Sequence, residues 1–223
     1  HRAGSERVPE RPPAALASAD ADALAPPAAM IPVPLWPCAV YDQARLLVFG
    51  VPLPPDTPRE RARLQLRRVL RAVLAARLAL APEQLMLPRQ PGRRPRLAPP
   101  HDGIGLSLAH APGLSLLAIH LDGPVGIDLL RTAALPAGWQ QLARDYLGPA
   151  RTRQLAALPP EHAAPAFAGH WVALEALLKS HGQPLAEWRD ETERRLAACV
   201  LRPLALPGDW LGSVVLPGSG GFG

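Results

Sequence analysis

The stretch Trp171–Gly182 reads WVALEALLKSHG and holds the chain's single lysine, Lys179, among 24 basic residues. Trp171, Glu175 and Lys179 recur every four residues, so a helix would place them on one face. The ammonium of lysine is a compact point charge, whereas the guanidinium of arginine is planar and forked. Lys179 is therefore chemically distinct from the arginines that make up the other basic residues. The plainer interpretation is a surface ion pair between Glu175 and Lys179, worth about 0.2–0.5 kcal/mol. The stretch predicts a helix and leaves both interpretations open.

Composition limits the class of protein. The 223 residues suffice for one sizeable domain, or two small ones, with a real core. A net charge of +5 favours anionic partners such as phosphates, nucleic acid or an acidic protein. Two cysteines indicate no disulfide framework, no apolar run approaches the ~18 residues of a membrane span, and no signal peptide is visible. We therefore expect a cytoplasmic protein that does not enter a membrane.

The chain divides into four parts by composition and pattern. Residues 1–34 are rich in Ala and Pro and are expected to be a flexible extension, and residues 218–223 a flexible tail. Residues 35–121 are expected to form an N-terminal lobe and residues 122–217 a C-terminal lobe, each combining strands with helices. The order of elements predicts an α+β fold with two similar α/β lobes in a pseudo-twofold arrangement.

Local signals place the helices and strands. Thr57 is a candidate N-cap, Pro58 fits the first helical position and Glu60 completes a capping box. Further helices are expected between residues 138 and 181, with breaks at Gly148-Pro149 and Pro159-Pro160. Strands are expected at 38–41, 45–49, 84–87, 95–98, 104–109, 114–121, 125–129, 188–201 and 210–216.

Two acids stand out by their context. Asp128 ends the short apolar run VGID at 125–128, where a strand end with a glycine beside it would let the carboxylate approach a ligand or metal. Glu175 projects from the helix described above. Two carboxylates from separate elements can share a hard divalent cation, with phosphates completing its shell. The alternative is that Asp128 caps a turn and Glu175 is a surface acid, because short motifs match by chance.

The run VGID, followed by Phe167-x3-Trp171-x3-Glu175-Ala176-x2-Lys179-x2-Gly182, resembles the signature of the 4′-phosphopantetheinyl transferases. The resemblance is to the two-lobed type that activates synthase carrier domains, and both order and spacing agree. Weaker matches upstream extend it over roughly residues 35–216. These matches are LRRVL at 66–70, GRRPRL at 92–97 and LSLAH at 106–110.

This resemblance implies a reaction, a cofactor and a partner. The enzyme would move the phosphopantetheine arm of coenzyme A onto a serine of an acyl or peptidyl carrier protein, and would release adenosine 3′,5′-bisphosphate. Asp128 and Glu175 would hold Mg²⁺ against the diphosphate. Glu175 is the expected base, and Lys179 the expected stabiliser of charge on the transferring phosphoryl group. Two fused lobes also imply a monomer.

The upstream matches imply contacts to coenzyme A itself. Arginine suits phosphate because its guanidinium binds two oxygens at once. A family histidine contacts the nucleotide phosphates, and the segment before it would offer backbone groups to the ligand. The residues implied in this chain are Arg67 or Arg63, Arg89, Arg94, Ser107, Ala109 and His110.

Three positions depart from the family pattern. Leu174 stands where the family usually has a lysine, Leu130 where many members carry a second acid, and Ala109 where a serine is usual. We expect Leu174 to remove a phosphate contact and to weaken coenzyme A binding without abolishing the reaction.

Two other functions are compatible with the same features. One is a non-catalytic relative that binds carrier proteins, which the departures motivate. The other is an arginine-rich nucleic-acid binder, which the basic segment 59–77 motivates. An aromatic content of 4% offers few stacking platforms and no nucleic-acid motif is present, so we expect no nucleic-acid partner.

Overall fold

The computed structural model describes residues 29–88 and 94–218. Predictions for residues 1–28, for Arg89 and its neighbours to residue 93, and for residues 219–223 lie outside the described residues. The helices are α1 (Arg59–Leu78), α2 (Trp139–Leu142), α3 (Gly148–Ala156), α4 (Pro160–His181) and α5 (Asp190–Ala197), with a π-helical turn at Ala143–Leu147. The strands are β1 (Ile31–Pro32), β2 (Tyr41–Gln43), β3 (Leu46–Pro52), β4 (Gly105–Ala111), β5 (Leu114–His120), β6 (Gly126–Arg131), β7 (Cys199–Ala205) and β8 (Trp210–Pro217).

These strands form two four-stranded sheets. The first sheet has the order β2-β3-β5-β4 and is antiparallel throughout. The second has the order β1-β7-β8-β6 and is antiparallel except for the short parallel pair β1–β7. The combination of helices with mostly antiparallel sheets confirms the predicted α+β class.

The first sheet is buried on both faces. On β3, Leu47 and Phe49 pack with Leu70 and its neighbours on α1. The alternate residues, Leu46 and Val48, belong to a core shared with the second sheet. Successive side chains of a strand point to opposite faces, so a strand buried on both sides is apolar throughout.

Helix α4 covers the other face of the second sheet at very close range. Ala176 and Leu177 of α4 share a cluster with Val215 of β8. A Cβ atom on Gly126 would lie 1.8 Å from the Ala176 carbonyl oxygen and 2.7 Å from the Ser180 nitrogen. The glycine of the VGID run therefore makes room for a helix, not for a ligand as the sequence predicts. Asp128 lies within β6, so its expected place at a strand end is also wrong.

Several predicted elements agree with the structure. The strands predicted at 104–109, 114–121, 125–129 and 210–216 are β4, β5, β6 and β8. Helix α3 begins at Gly148 and α4 at Pro160, at the two predicted breaks. Helix α1 begins one residue later than predicted, because Pro58 takes the N-cap place while the Thr57 amide donates to the Pro54 carbonyl at 2.9 Å.

Two strands predicted between α1 and β4 are absent. Pro82–Gln84 is a single 3₁₀ turn, and residues 95–98 contribute one backbone bond, from the Ala98 amide to the Met86 carbonyl at 2.9 Å. The proline-rich sequence explains the difference, because each proline removes a donor that a ladder of strand bonds would need.

The strand predicted at 188–201 is mostly helix. Asp190 and Glu191 lie in the first turn of α5, and Arg194 and Arg195 lie in its last turn, so the charges favour the helix dipole. Arg195 also pairs with Glu191 at 2.5 Å, one turn apart. The alternation of charged and apolar residues predicts a strand, but in the structure these residues form a short helix with no buried side chains.

The flexible extension predicted over residues 1–34 includes residues that the structure places in a strand. Ile31 is fully buried and, with Pro32, forms β1 along β7. Backbone pairing at Leu204 and Ala205 therefore brings the end of this segment into the second sheet.

Within the described ranges, none of the helices combines the length and apolarity that crossing a bilayer requires.

Replacing Gly126 tests the close packing of α4 on β6. Gly126→Ala should lower the free energy of unfolding by about 3 kcal/mol, because the added methyl meets backbone atoms that cannot move aside singly. Gly169→Ala on the same helix is the control: its Cβ meets no atom within 4 Å, so helix propensity should raise stability by about 0.5–1 kcal/mol. Urea denaturation of both variants measures the difference, and equal stabilities would contradict the packing described.

Candidate active site

Helix α4 and strand β6 bring three predicted site residues together. Glu175 and Lys179 lie four residues apart on α4, as predicted, and Asp128 lies on the face of β6 that α4 covers. Lys179 Nζ donates to Asp128 Oδ1 at 2.6 Å and reaches the Leu108 carbonyl of β4 at 3.4 Å. Within the described ranges, the ion pair of this lysine is with Asp128 and not with Glu175. The surface ion pair between Glu175 and Lys179 that the sequence allows is thus replaced by a contact between α4 and β6.

The electrostatics of this group favour an added cation. Burial raises the pKa of Asp128, and the Lys179 charge and the Leu129 amide only partly oppose it. Burial also raises the pKa of Glu175, and the negative charge of Asp128 raises it further. A raised pKa means that the ionised carboxylates are poorly compensated. The two acids therefore repel each other across a gap that one lysine does not neutralise.

The donor set suits a hard divalent ion with an incomplete protein shell. Groups of three or more metal-binding side chains are not found within the described ranges. Asp128 and Glu175 supply carboxylate oxygens, which Mg²⁺ prefers, and Mg²⁺ commonly takes one or two carboxylates with phosphates and waters in its other positions. Leu130 is half-buried on β6, two residues after Asp128, and its side chain offers no oxygen ligand.

The C-terminal end of α4 carries a further cation. Gly182 ends the helix in the left-handed region at φ +65°, and its amide donates to the Lys179 carbonyl at 3.1 Å. Arg94 lies over this glycine and donates from Nη1 to the Ser180 carbonyl at 2.8 Å. The structure thus places Arg94 beside the helix end that carries Lys179, at 86 residues' separation in sequence.

His110 lies in a second cationic group, near the N-terminus of α1. Its side chain is exposed, and Nδ1 shares a hydrogen bond with the buried Ser115 hydroxyl at 2.8 Å. The part of the ring that is shielded from water loses solvation, which lowers the pKa of His110, and the charges of Arg59 and Arg63 lower it further. We call His110, Arg59 and Arg63 the α1–β4 cationic cluster. The sequence does not link Arg59 to His110, and only the proximity of α1 to β4 shows this connection.

The other implied coenzyme A contacts have internal partners. Arg67 donates to the Leu87 and Pro88 carbonyls at 2.7 and 3.0 Å, so it holds the chain just before residue 89. Ser107 and Ala109 are each 3% exposed, and the Ser107 hydroxyl accepts the Ile127 amide at 3.0 Å. Their side chains do not face a ligand, and a contact through their backbone groups stays a prediction.

Leu174 faces away from the site. It is 2% exposed and packs with Leu147, Leu155, Phe167 and Leu178 between α4 and the preceding helices. A leucine at this position completes an apolar core. The sequence-based interpretation that it represents a missing phosphate contact is therefore not needed to explain it.

Comparisons with known proteins agree with this geometry. Residues 124–198, which contain β6 and α4, match the family model of the 4′-phosphopantetheinyl transferase superfamily. A protein of Synechocystis sp. (strain ATCC 27184 / PCC 6803 / Kazusa), provisionally named as a 4′-phosphopantetheinyl transferase, is 29% identical over 131 residues. That alignment covers 58% of this chain and 53% of the relative, so the chain spans about half the length of the relative it matches. Residues 124–198 are thus similar to the 4′-phosphopantetheinyl transferase superfamily, and the relative's name agrees with that similarity.

Removing Lys179 should expose the cost of burying Asp128. Lys179→Met should lower the free energy of unfolding by about 1–3 kcal/mol, because it leaves a carboxylate that is 14% exposed without its cation. Combined with Asp128→Asn, the loss should be smaller than the sum of the single losses by about 1 kcal/mol. Chemical denaturation of the four proteins gives this coupling.

The exposed pair Arg45–Asp122, at 2.6 Å with 56% and 53% exposure, is the matched control for that cycle. Its coupling should be small, within about 0–1 kcal/mol. Additive losses at Asp128 and Lys179 would show that the buried pair contributes no more than a surface pair.

The raised pKa of Glu175 gives stability a defined pH dependence. Between its ordinary value of 4.5 and its raised value, the folded chain binds more protons at this group than the unfolded chain. The free energy of unfolding should therefore fall as pH rises through that window. Glu175→Gln removes this term, so the variant should gain stability relative to the parent above the window and not below 4.5. Denaturation at several pH values measures it, with the exposed Glu187→Gln as control; a pH-independent difference would contradict it.

Proposed function

We propose that this protein transfers the 4′-phosphopantetheine arm of coenzyme A to a serine hydroxyl of an acyl or peptidyl carrier protein. The observation that carries the proposal is the meeting of Asp128, Glu175 and Lys179 where α4 covers β6. The similarity of residues 124–198 to the superfamily supports the same chemistry. The serine oxygen bonds to the β-phosphorus of coenzyme A, the bond from that phosphorus to the bridging oxygen breaks, and adenosine 3′,5′-bisphosphate leaves.

Asp128 and Glu175 are the residues that would hold Mg²⁺. When bound, the ion would supply Lewis-acid stabilisation of the diphosphate. The raised pKa values of both carboxyl groups support a cation at this position, because a nearby positive charge would relieve their repulsion.

Glu175 is the proposed base. Its raised pKa makes the carboxylate a stronger proton acceptor than an ordinary glutamate, and it is only partly buried on α4. No side-chain hydrogen bond occupies Glu175 among the described residues. The proton of the attacking serine hydroxyl would pass to a Glu175 oxygen, directly or through one water.

Lys179 is the proposed stabiliser of charge on the transferring group. Its ammonium has three donors, of which one bonds to Asp128 and another points towards the Leu108 carbonyl. A remaining donor can bind a phosphoryl oxygen while the bond to Asp128 keeps the side chain in place. The contact to Asp128 therefore serves orientation as well as neutralisation.

The nucleotide phosphates of coenzyme A are proposed to bind cations from the first half of the chain. The α1–β4 cationic cluster offers two guanidinium groups beside His110, whose lowered pKa keeps it neutral near pH 7. Arg94, beside the end of α4, adds a cation near Lys179. Arg67 and Arg89 are carried over from the resemblance alone.

A mass-shift assay tests the proposal. The chain is incubated with coenzyme A, Mg²⁺ and a panel of acyl and peptidyl carrier proteins, and carrier mass is followed. The parent should add one phosphopantetheine group, and Glu175→Gln and Lys179→Met should each lower kcat/KM by about 10²–10⁴-fold. Chelation of the metal should stop the reaction.

The control for the variants is Glu187→Gln, which removes a carboxylate at an exposed position and should retain full activity. If the folded parent modifies none of the carriers but still binds them, the protein is a non-catalytic carrier-protein binder and the proposed activity is wrong. Retained activity in Glu175→Gln would remove this residue as the base.

A further inference from the structure

The edge strands of the two sheets run side by side at the active site. A Cβ atom on Gly105 of β4 would lie 1.9 Å from the Gly123 carbonyl oxygen, just before β6. Two residues further along β4, the Ser107 hydroxyl accepts the amide of Ile127 at 3.0 Å. We call this line of contact between β4 and the segment 123–128 the β4–β6 seam. It passes directly beside Asp128.

Ser107 takes the place of a backbone bond across the seam. Throughout the described ranges, no hydrogen bond between backbone atoms joins β4 to β6. Ile127 is fully buried, so its amide has no access to water and needs an internal acceptor. Ser107, itself 3% exposed, supplies that acceptor with its side chain. Loss of the hydroxyl would leave a buried donor unsatisfied.

The same edge of β6 holds the Asp128 carboxylate. Residues 127 and 129 alternate with Asp128, so their amides both point away from the paired strand β8 and towards the seam. The Ile127 amide bonds to Ser107, and the Leu129 amide lies near the Asp128 carboxylate and favours its charged form. Because Ser107 holds the Ile127 amide, it also holds the part of β6 that carries Asp128 and the Leu129 amide.

Lys179 contacts the seam from the other side. Its ammonium lies 3.4 Å from the carbonyl of Leu108, the residue after Ser107, and 2.6 Å from Asp128. Two consecutive residues of β4 thus touch β6 and α4 at the one place where the proposed catalytic groups meet.

We propose that Ser107 is a positioning residue of this site. Its hydroxyl holds β6 against β4 and so directs the Asp128 carboxylate towards Lys179 and the reacting phosphates, without itself touching coenzyme A. This role differs from the ligand contact that the sequence implies for Ser107. The kinetic consequence rests on the proposed function, whereas the structural consequence does not.

Amide hydrogen exchange tests the structural part without any substrate. In Ser107→Ala, the Ile127 and Leu129 amides should both exchange about ten-fold faster or more than in the parent. Ser107→Thr, which keeps the hydroxyl, should retain most of the protection. Unchanged exchange at Leu129 in Ser107→Ala would overturn the proposal, because Asp128 would then be held independently of the seam.

The control for a general loss of stability is Thr152→Val. The Thr152 hydroxyl donates to the Gly148 and Ala143 carbonyls at 2.8 and 3.1 Å on α3, away from the seam. Its removal should lower overall stability by an amount comparable to Ser107→Ala, with no selective change at Ile127 or Leu129. The same selective acceleration in Thr152→Val would also overturn the proposal.

Steady-state kinetics with a carrier that the parent modifies tests the catalytic part. Ser107→Ala should lower kcat by about ten- to a hundred-fold while KM for coenzyme A changes less than about two-fold. Ser107→Thr should restore much of kcat, and Thr152→Val should leave it unchanged. A raised KM with unchanged kcat would instead make Ser107 a ligand contact and overturn its positioning role. If the parent modifies no carrier, the proposed function fails, and the exchange result alone decides the role of Ser107.

Discussion

The ion pair between Lys179 and Asp128 joins the long helix of the second half of the chain to the edge of its sheet, at 2.6 Å. A carboxylate that is 14% exposed is expensive to ionise, and Lys179 only partly compensates it. The position of α4 over β6 is therefore favoured by this ion pair as well as by close packing. Glu175 lies on the same face of the helix, where burial raises its pKa and the charge of Asp128 raises it further.

The pair can form only because α4 lies so close to β6. Gly126, two residues before Asp128, has no side chain where the Ala176 carbonyl of α4 passes. Two residues apart on a strand share a face, so the space at Gly126 and the carboxylate of Asp128 face the same helix. Gly126 and Asp128 of the VGID run therefore act together. Gly126 leaves room for α4, and Asp128 pairs with Lys179 of that helix.

Residues from the first half of the chain complete this arrangement from the other sheet. Ser107 and Leu108 contact β6 and Lys179, and Arg94 caps the end of α4 through the Ser180 carbonyl. These links cross large separations in sequence, so local patterns do not indicate them. The site therefore depends on how the two sheets meet, and not on the C-terminal motifs alone.

Periodicity and short-range chemistry were enough to predict the α+β class, strands β4, β5, β6 and β8, the breaks before α3 and α4, and a helix that aligns Glu175 with Lys179. Such features depend on neighbours in the chain, and the sequence records those directly. Tertiary structure alone decided that Lys179 pairs with Asp128, that Gly126 admits α4, that Leu174 is core, and that α5 is a helix where alternation suggested a strand. In the first three cases the deciding partner is distant in sequence, and the identity of a residue does not specify which backbone or charge will lie against it.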